Sequence, residues 1–507
     1  MDINAAERRL DELWGEIRDI SAAGDLLEWD QDTNMPPAGI EARGKMVATL
    51  EGFKHRSLAS PELQEVLAVC AEGASDSSLL AAKVRRARLD VDRAVQVPQA
   101  LVQELAEAGV RGFAAWRRAR EAADFSLFAD DLEKMVALRR EEAAAMAPDG
   151  RPYDAMLGKF EPGMTETELE PLFDGLRDEL IPLVRSVAEH VAGDGAAVDE
   201  SAAQGEFPPD KQHDFGRYLA QCIGFDFEAG RLDQSTHPFC IGIDRGDVRM
   251  TWRYEENDFR AAVFGILHES GHGMYEQGLP AEWGRSPVGS VVSLGIHESQ
   301  SRLWENHVGR SRGFWRWALP HYRAAFPDAP ASDAATLWRL LHTVKPSLIR
   351  VEADEGTYNL HVIARFELER RLFGGALEVA DLPAAWDDAY EELLGIRPPD
   401  AALGVLQDIH WSQGMFGYFP TYTLGTMAAA QLFAAAGRDL GDLEAAFAEG
   451  EFKPLLAWLR DKIHRHGSRY TAKELIEQAT GKPLAPDDLL AYLRETTEEV
   501  YGVGGSG

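Results

Sequence analysis

A mainly α-helical fold, broken by one short β-hairpin, is predicted by three observations. Apolar residues recur at helical spacing over long stretches, capping residues open several of those stretches, and a single stretch is instead rich in β-branched and aromatic residues. In chain order, Ala5 to Ile20 places Leu10, Leu13, Ile17 and Ile20 at helical spacing. Ser60-Pro61-Glu62 gives an N-cap followed by a proline whose missing N–H costs nothing in the first turn. Residues 78–147 and 165–193 read as long amphipathic helices with charged outer faces, and Thr165 with Glu168 has capping-box spacing, as does Thr471 with Glu474. The exception is Phe239 to Tyr254, where FCIGI and VRMTWRY flank the turn Asp244-Arg245-Gly246-Asp247. A helix follows from Asn257 to Gln277, capped by Asn257 or Asp258 and ended by Gly278. After a Gly/Pro-rich loop from Leu279 to Gly289, Val291 to His307 is helical again and stops at Gly309.

A length of 507 residues suits one large domain over residues 1–501, with a helical lobe over about 1–200 and a second lobe over about 201–501. Residues 502–507 read as a flexible tail. The first residues carry acidic groups and no apolar signal core, and the most apolar run, Leu424 to Ala436, contains Gln431 and is too short to span a bilayer. Three cysteines, Cys70, Cys222 and Cys240, are sparse and odd in number, which points to a reducing, cytoplasmic setting. The net charge of −32 disfavours nucleic acid and anionic membranes as partners, since both demand a concentrated basic surface.

The chemistry concentrates in His268-Glu269-Ser270-Gly271-His272. Four residues advance a helix by about 6 Å and return to nearly the same face, so the two imidazoles can close on one ion. Glu269, rotated about 100° from His268, flanks that ion and can accept a proton from water. Such a site cuts a polar bond with water. With Ala261, Ala262, Phe264, Ile266 and Leu267 around it, this helix is buried, so its polar residues need either a metal or the hydrogen bonds of ordinary core histidines. Gly265, Gly271 and Gly273 each weaken the helix by up to about 1 kcal/mol relative to alanine, and close approach of other backbone is the expected return.

A tetrahedral site with two histidines takes a third protein ligand and leaves one position for water. His297-Glu298-Ser299-Gln300, on the second helix, offers Glu298, with His297 as the rival, because a helix presents only one of two adjacent residues to the metal. Glu305 lies two turns after Glu298 and either orients a histidine ligand or is a solvated surface carboxylate.

The stretches HESGHGMYEQG and GIHESQSRLWEN resemble the metal-binding core of the carboxypeptidase Taq family of metallocarboxypeptidases. Further stretches resemble that family in the same order: LLEWDQDTNMPPAGIEAR (Leu26 to Arg43), YDAMLGKFEPGMT (Tyr153 to Thr165), HPF (His237 to Phe239), DVRMT (Asp247 to Thr251), IRVEADEGTYNLH (Ile349 to His361), GVLQDIHW (Gly404 to Trp411), GYFPTYTLG and TGKPL. The resemblance covers nearly the whole chain. It implies a helical zincin-like metallopeptidase with a deep substrate groove, one divalent ion per chain (zinc, or cobalt), peptide substrates and a homodimer. It also implies an active-site arginine at Arg350, to grip a terminal carboxylate with two parallel hydrogen bonds; Arg249 in DVRMT is the alternative. Groove residues are implied at His410 and Tyr422, candidates with His237 for a neutral donor to the developing oxyanion. The hairpin beside the metal helix serves either as an edge for an extended peptide or as scaffold.

The reading that results is a broad-specificity metallocarboxypeptidase releasing single residues, with Glu269 as general base. A zinc oligopeptidase or dipeptidyl-carboxypeptidase is the alternative within the same chemistry. A non-catalytic acidic helical scaffold is the alternative outside it, and it leaves Glu269 without a purpose.

Overall fold

The computed structural model describes residues 1–147, 150–193, 197–329 and 333–503. It is 70% helical, with one three-stranded sheet among the described residues. The chain forms two compact units: Met1–Val95 with Asp199–Leu341 and Ala428–Leu484, and Gln96–Val198 with His342–Met427 and Ala485–Gly507. Each unit gathers three separated stretches, so the contiguous lobes expected from the sequence, divided near residue 200, match neither unit. Burial acts on whichever apolar faces can meet, whatever their order along the chain.

In the first unit, Asp2 caps the helix Ile3–Thr33 by accepting from the Ala5 N–H at 3.0 Å. Its inner face, Ala6, Leu10, Trp14 and Ile17, packs with Leu63, Val66 and Leu67 of Pro61–Gly73 and with Leu80, Val84 and Ala87 of Leu79–Gln96. Ser60 caps the second of these helices through the Leu63 N–H, as its sequence predicts. The first helix runs well past Ile20, through the polar stretch around Trp29, because Trp29 is held from the sheet by Arg249 and Arg231, whose guanidinium carbons stand 4.1 and 4.8 Å from its ring.

That sheet has strands β1 (Gly230–Gln234), β2 (Phe239–Asp244) and β3 (Asp247–Trp252) in the order β1-β3-β2. The expected hairpin is β2 and β3, antiparallel with Cys240 opposite Met250 and an irregularity between Gly242 and Asp244. Strand β1, parallel to β3 with Leu232 opposite Met250, is an addition to that expectation. Its sequence GRLDQ lacks β-branched residues, and only a distant partner strand makes it extended.

The sheet packs on the helix Arg260–Gly278, whose first N–H is accepted by Asp258 Oδ1 at 2.8 Å. Glycines make this contact close. A Cβ at Gly265 would lie 1.8 Å from the Trp252 ring, one at Gly273 2.6 Å from Phe225, and one at Gly271 2.5 Å from the Gln300 carbonyl oxygen. Backbone approach is thus the reason for glycine at Gly271, whereas aromatic rings fill the space at the other two. The following helix is shorter than predicted: Ser293 caps it, it runs from Leu294 to Arg302, and it widens into a π-helical turn over Leu303–Val308.

The second unit is built on the helices Gln99–Ala122, Ser126–Met146, Glu166–Ala192, Tyr358–Gly374 and Leu382–Leu394, around an aromatic core that includes Tyr153, Phe173, Phe366, Phe373 and Phe416. Both predicted capping boxes form. Within this core Glu369 accepts from Tyr153, Trp411 and the Gly417 N–H, and burial pushes its carboxyl up to about 7. Gly502, in the left-handed conformation with φ 72°, ends the last helix; residues 504–507 of the expected tail lie outside the described residues. Among the described residues no helix is long and apolar enough to cross a membrane.

Gly271→Ala should lower stability by ~1–3 kcal/mol, because its new methyl meets backbone that has no rotamer with which to yield. Gly437→Ala, with nothing within 4 Å and a helical setting in Pro420–Leu440, should be neutral or stabilising by up to about 1 kcal/mol. Thermal unfolding of the two variants beside the parent checks both signs.

Candidate active site

In the first unit, the helix Arg260–Gly278 and the helix beginning at Leu294 bring His268, His272 and Glu298 together. The two Nε2 atoms are 3.2 Å apart, and Glu298 Oε2 stands 3.7 Å from the first and 3.5 Å from the second. Ligand atoms placed 2.0–2.2 Å from a tetrahedral ion stand roughly 3.3–3.6 Å apart, so this triangle fits one such ion.

The other ring nitrogens decide which form of each histidine is present. His272 Nδ1 donates to the His297 carbonyl oxygen at 3.1 Å, and His268 Nδ1 donates to Glu305 Oε2 at 2.9 Å. With both Nδ1 atoms protonated, each neutral ring turns an Nε2 lone pair toward the same point. Two lone pairs at that separation repel, and a cation between them removes the conflict. Burial, and then the neighbouring imidazoles of His297 and His268, hold His272 well below its ordinary value, so its lone pair stays free of a proton. Burial opposes charge on His268 too, but Glu298 and Glu305 outweigh it and raise its value. The same negative field favours a metal cation at that nitrogen.

Carboxylates around the triangle are fixed by arginines. Arg302, one turn after Glu298, donates to Glu298 Oε1 at 2.7 Å and to Glu305 Oε2 at 3.2 Å, while Arg310 reaches Glu305 Oε1 at 3.3 Å. Burial would raise Glu305, yet Arg302, the His268 bond and Arg310 hold it well below the usual carboxylate range. It is therefore the orienting partner of His268 and not a solvated surface group. His297 turns its ring away from the triangle and donates from Nε2 to Glu276 Oε1 at 3.0 Å, so Glu298 is the member of the pair that faces the two imidazoles in a group that could hold an ion.

Glu269 is buried beside this cluster, and its Oε2 has no hydrogen-bond partner among the described residues. Burial first, then Glu298 and Glu305, push its carboxyl up to about 7 against the pull of His268 and His297. A buried carboxylate oxygen aimed at no protein donor is suited to a water or substrate proton. Arg249 and His237 also lie in this unit. Arg249 is committed to Asp247 through two bonds of 2.9 Å and stacks on Trp29. His237 is exposed between β1 and β2, and its carbonyl oxygen accepts from Ser235.

The second unit holds Arg350, His410 and Tyr422 in one cluster. Arg350 donates from Nε and Nη2 to Asp408 Oδ1 at 3.2 and 2.8 Å and from Nη1 to Tyr358 at 3.1 Å, with its guanidinium 4.9 Å from the Tyr422 ring centre. Asp408 also takes the fully buried Arg365 on its other oxygen at 2.7 Å. Two guanidinium groups thus share one carboxylate, leaving a net positive charge in a site where Arg350 is only 4% exposed. His410 lies 3.4 Å from the Tyr422 hydroxyl, and burial, with the two arginines, lowers it to about 4 although Asp408 opposes this, so it is neutral at pH 7.

Asp408 and Arg302, with Arg310, Arg365 and Tyr358, are members that residue patterns did not single out. Arg302 carried a signal, its spacing four residues after Glu298. Asp408 carried none, because its partners lie 58 and 43 residues away.

Over residues 9–497 the chain matches the family described as carboxypeptidase Taq (M32) metallopeptidase. It is 42% identical over 518 residues to thermostable carboxypeptidase 1 of Thermus thermophilus, spanning 99% of this chain and 100% of that protein. With carboxypeptidase 1 of Bacillus subtilis the identity is 38% over 509 residues, spanning 99% and 100%. The crystal structure of the M32 carboxypeptidase from Deinococcus radiodurans R1 superposes with a TM-score of 0.93 at 40% identity, covering 98% of this chain and 100% of that one. A triangle of groups able to hold a metal ion, with a carboxylate beside it, on a chain similar to these proteins along its whole length, leads to one conclusion: the chain belongs to the carboxypeptidase Taq (M32) metallopeptidase family and is a metal-dependent carboxypeptidase acting on peptides.

Proposed function

We propose that this enzyme removes single residues from peptide C-termini with broad specificity, with His268, His272 and Glu298 holding one zinc ion and Glu269 as general base. The observation that carries the assignment is the convergence of the two Nε2 lone pairs and Glu298 Oε2 on one point next to an unpartnered Glu269 oxygen. Zinc, or cobalt in its place, supplies Lewis acidity toward water and the scissile carbonyl when bound. Glu269 takes the proton of the attacking water on its free Oε2 and delivers it to the leaving amine nitrogen. Glu305 and the His297 carbonyl hold the two imidazole planes, and Arg302 holds Glu298, so these ligand groups do not have to reorganise when a metal arrives.

Arg350 is proposed to receive the substrate's terminal carboxylate. Three of its five N–H donors are used by Asp408 and Tyr358, which leaves two for a ligand, and the unbalanced charge shared with Arg365 favours an anion there. Arg249 fits this role less well, because Asp247 already neutralises it with two parallel bonds. Neutral His410 and Tyr422 are proposed as substrate hydrogen-bond donors beside Arg350, and exposed His237 as a more peripheral one. We also place the enzyme in the cytoplasm, which its three free cysteines support, and as a homodimer, on the family resemblance.

His268→Ala or His272→Ala should abolish stoichiometric zinc binding, read by equilibrium dialysis and metal analysis; a variant lacking both imidazoles that still held one zinc tightly would remove the assignment. Glu269→Gln should keep metal and fold but lower kcat by ~10²–10⁴, since an amide cannot accept the proton.

Amidating a substrate's C-terminus should slow cleavage by roughly two orders of magnitude or more, the consequence of about 2–5 kcal/mol lost when a buried cation goes unpaired. Arg350→Ala should show the same deficit on free peptides and discriminate little between free and amidated ends. Mass spectrometry of a defined peptide digest distinguishes the outcomes: a ladder shortened one residue at a time supports the reading, and equal internal cleavage of free and amidated peptides favours an oligopeptidase.

A further inference from the structure

Glu276 lies on the same helix as the HExxH motif, eight residues after His268, and it is not one of the groups that converge as possible metal ligands. Its carboxylate Oε1 accepts from His297 Nε2 at 3.0 Å. His297 in turn touches His272 twice. Its ring stacks on the His272 ring with centroids 4.3 Å apart and planes 19° apart, and its carbonyl oxygen accepts the His272 Nδ1 proton at 3.1 Å. One residue therefore fixes both the plane and the tautomer of His272, and Glu276 is the polar anchor of that residue's side chain. Tyr275 flanks the same ring at 5.6 Å.

The anchor is itself confined. A Cβ at Gly242 of β2 would lie 2.6 Å from Glu276 Oε2, so the strand lies against the carboxylate and a side chain there would displace it from this position. Both side chains are largely enclosed, Glu276 at 18% and His297 at 14% exposure, where a charge-assisted bond is little weakened by solvent.

We propose that Glu276 is a positioning residue for the metal centre, acting through His297 to hold His272 with its Nε2 lone pair on the ion. The proposal rests on the reading of His272 as a ligand. It assigns to the HExxH helix a second acid, about one turn beyond the motif, and to the residue before Glu298 the task of orienting the partner ligand.

The test compares Glu276→Ala, Glu276→Gln and His297→Phe with the parent. Zinc affinity is read by competition with a chromogenic chelator, and the visible absorption of the cobalt-substituted protein reports ligand geometry. Glu276→Ala should lose ~10–100-fold in zinc affinity and shift the cobalt bands. It should also lower kcat with little change in KM. Glu276→Gln, which keeps an acceptor for the His297 Nε2 proton, should restore most of the affinity and the spectrum. His297→Phe keeps a stacked ring and the carbonyl but loses the anchor, so it should resemble Glu276→Ala, and it provides the test if that variant fails to fold. Parent-like affinity and cobalt spectrum in a folded Glu276→Ala or His297→Phe would overturn the proposal. His272→Ala, measured alongside, separates the two failures: retained stoichiometric zinc would overturn the ligand assignment, whereas lost zinc there with no change at Glu276 or His297 would overturn only the positioning role.

Discussion

The metal triangle depends on where two protons sit. Because Glu305 and the His297 carbonyl each claim an Nδ1 proton, both imidazoles present a bare Nε2 to a common point, 3.2 Å from one another. The rest of the first unit follows from keeping that arrangement. A helix carrying two inward histidines must pack closely against the helix that supplies Glu298, and this requires the absence of a side chain at Gly271, where the Gln300 carbonyl passes. Glu305 must then reach back to His268, and it does so from the π-helical turn that follows Arg302. A wider turn in this place changes which side chains share a face with Glu298.

Electrostatics divides the two units by chemistry. In the first, acidic groups surround the triangle and are held in place by Arg302 and Arg310, so the local field favours a cation while the carboxylates stay ordered. In the second, Arg350 and Arg365 share Asp408, and the excess positive charge favours an anion. Under the proposed function, the first field would favour the metal that activates water and the second the charged end of a peptide. Each is a buried charge cluster that would be costly if left half-satisfied, and each satisfies its internal members with hydrogen bonds.

The sheet illustrates how an element of modest size supports the site. Strand β3 packs on the metal helix, the β2 residue Gly242 abuts Glu276, and Arg231 and Arg249, paired across β1 and β3, hold Trp29 of the first helix. The N-terminal helix, the sheet and the metal helix are thus one packed body, in which a side chain added at Gly265 would collide with Trp252.

Much of this was legible in the residues. Cap residues announced the starts at Ser60, Thr165 and Thr471, the β-branched and aromatic residues of FCIGI and VRMTWRY announced β2 and β3, and the HExxH spacing placed two imidazoles on one face. These features are local: each depends on side chains within about one or two turns of one another, so the order of residues is enough to define them. What the tertiary structure alone decided has partners far apart in the chain. Strand β1 exists because β3 accepts it, and Asp408 matters because Arg350 and Arg365 converge on it from 58 and 43 residues away. That Glu298 and not its neighbour His297 faces the two imidazoles follows from Glu276, on another helix, which takes the His297 imidazole. The sequence by itself determined which groups could do chemistry; packing determined which of their atoms remain free, because an atom's availability depends on every neighbour that burial brings within hydrogen-bond reach.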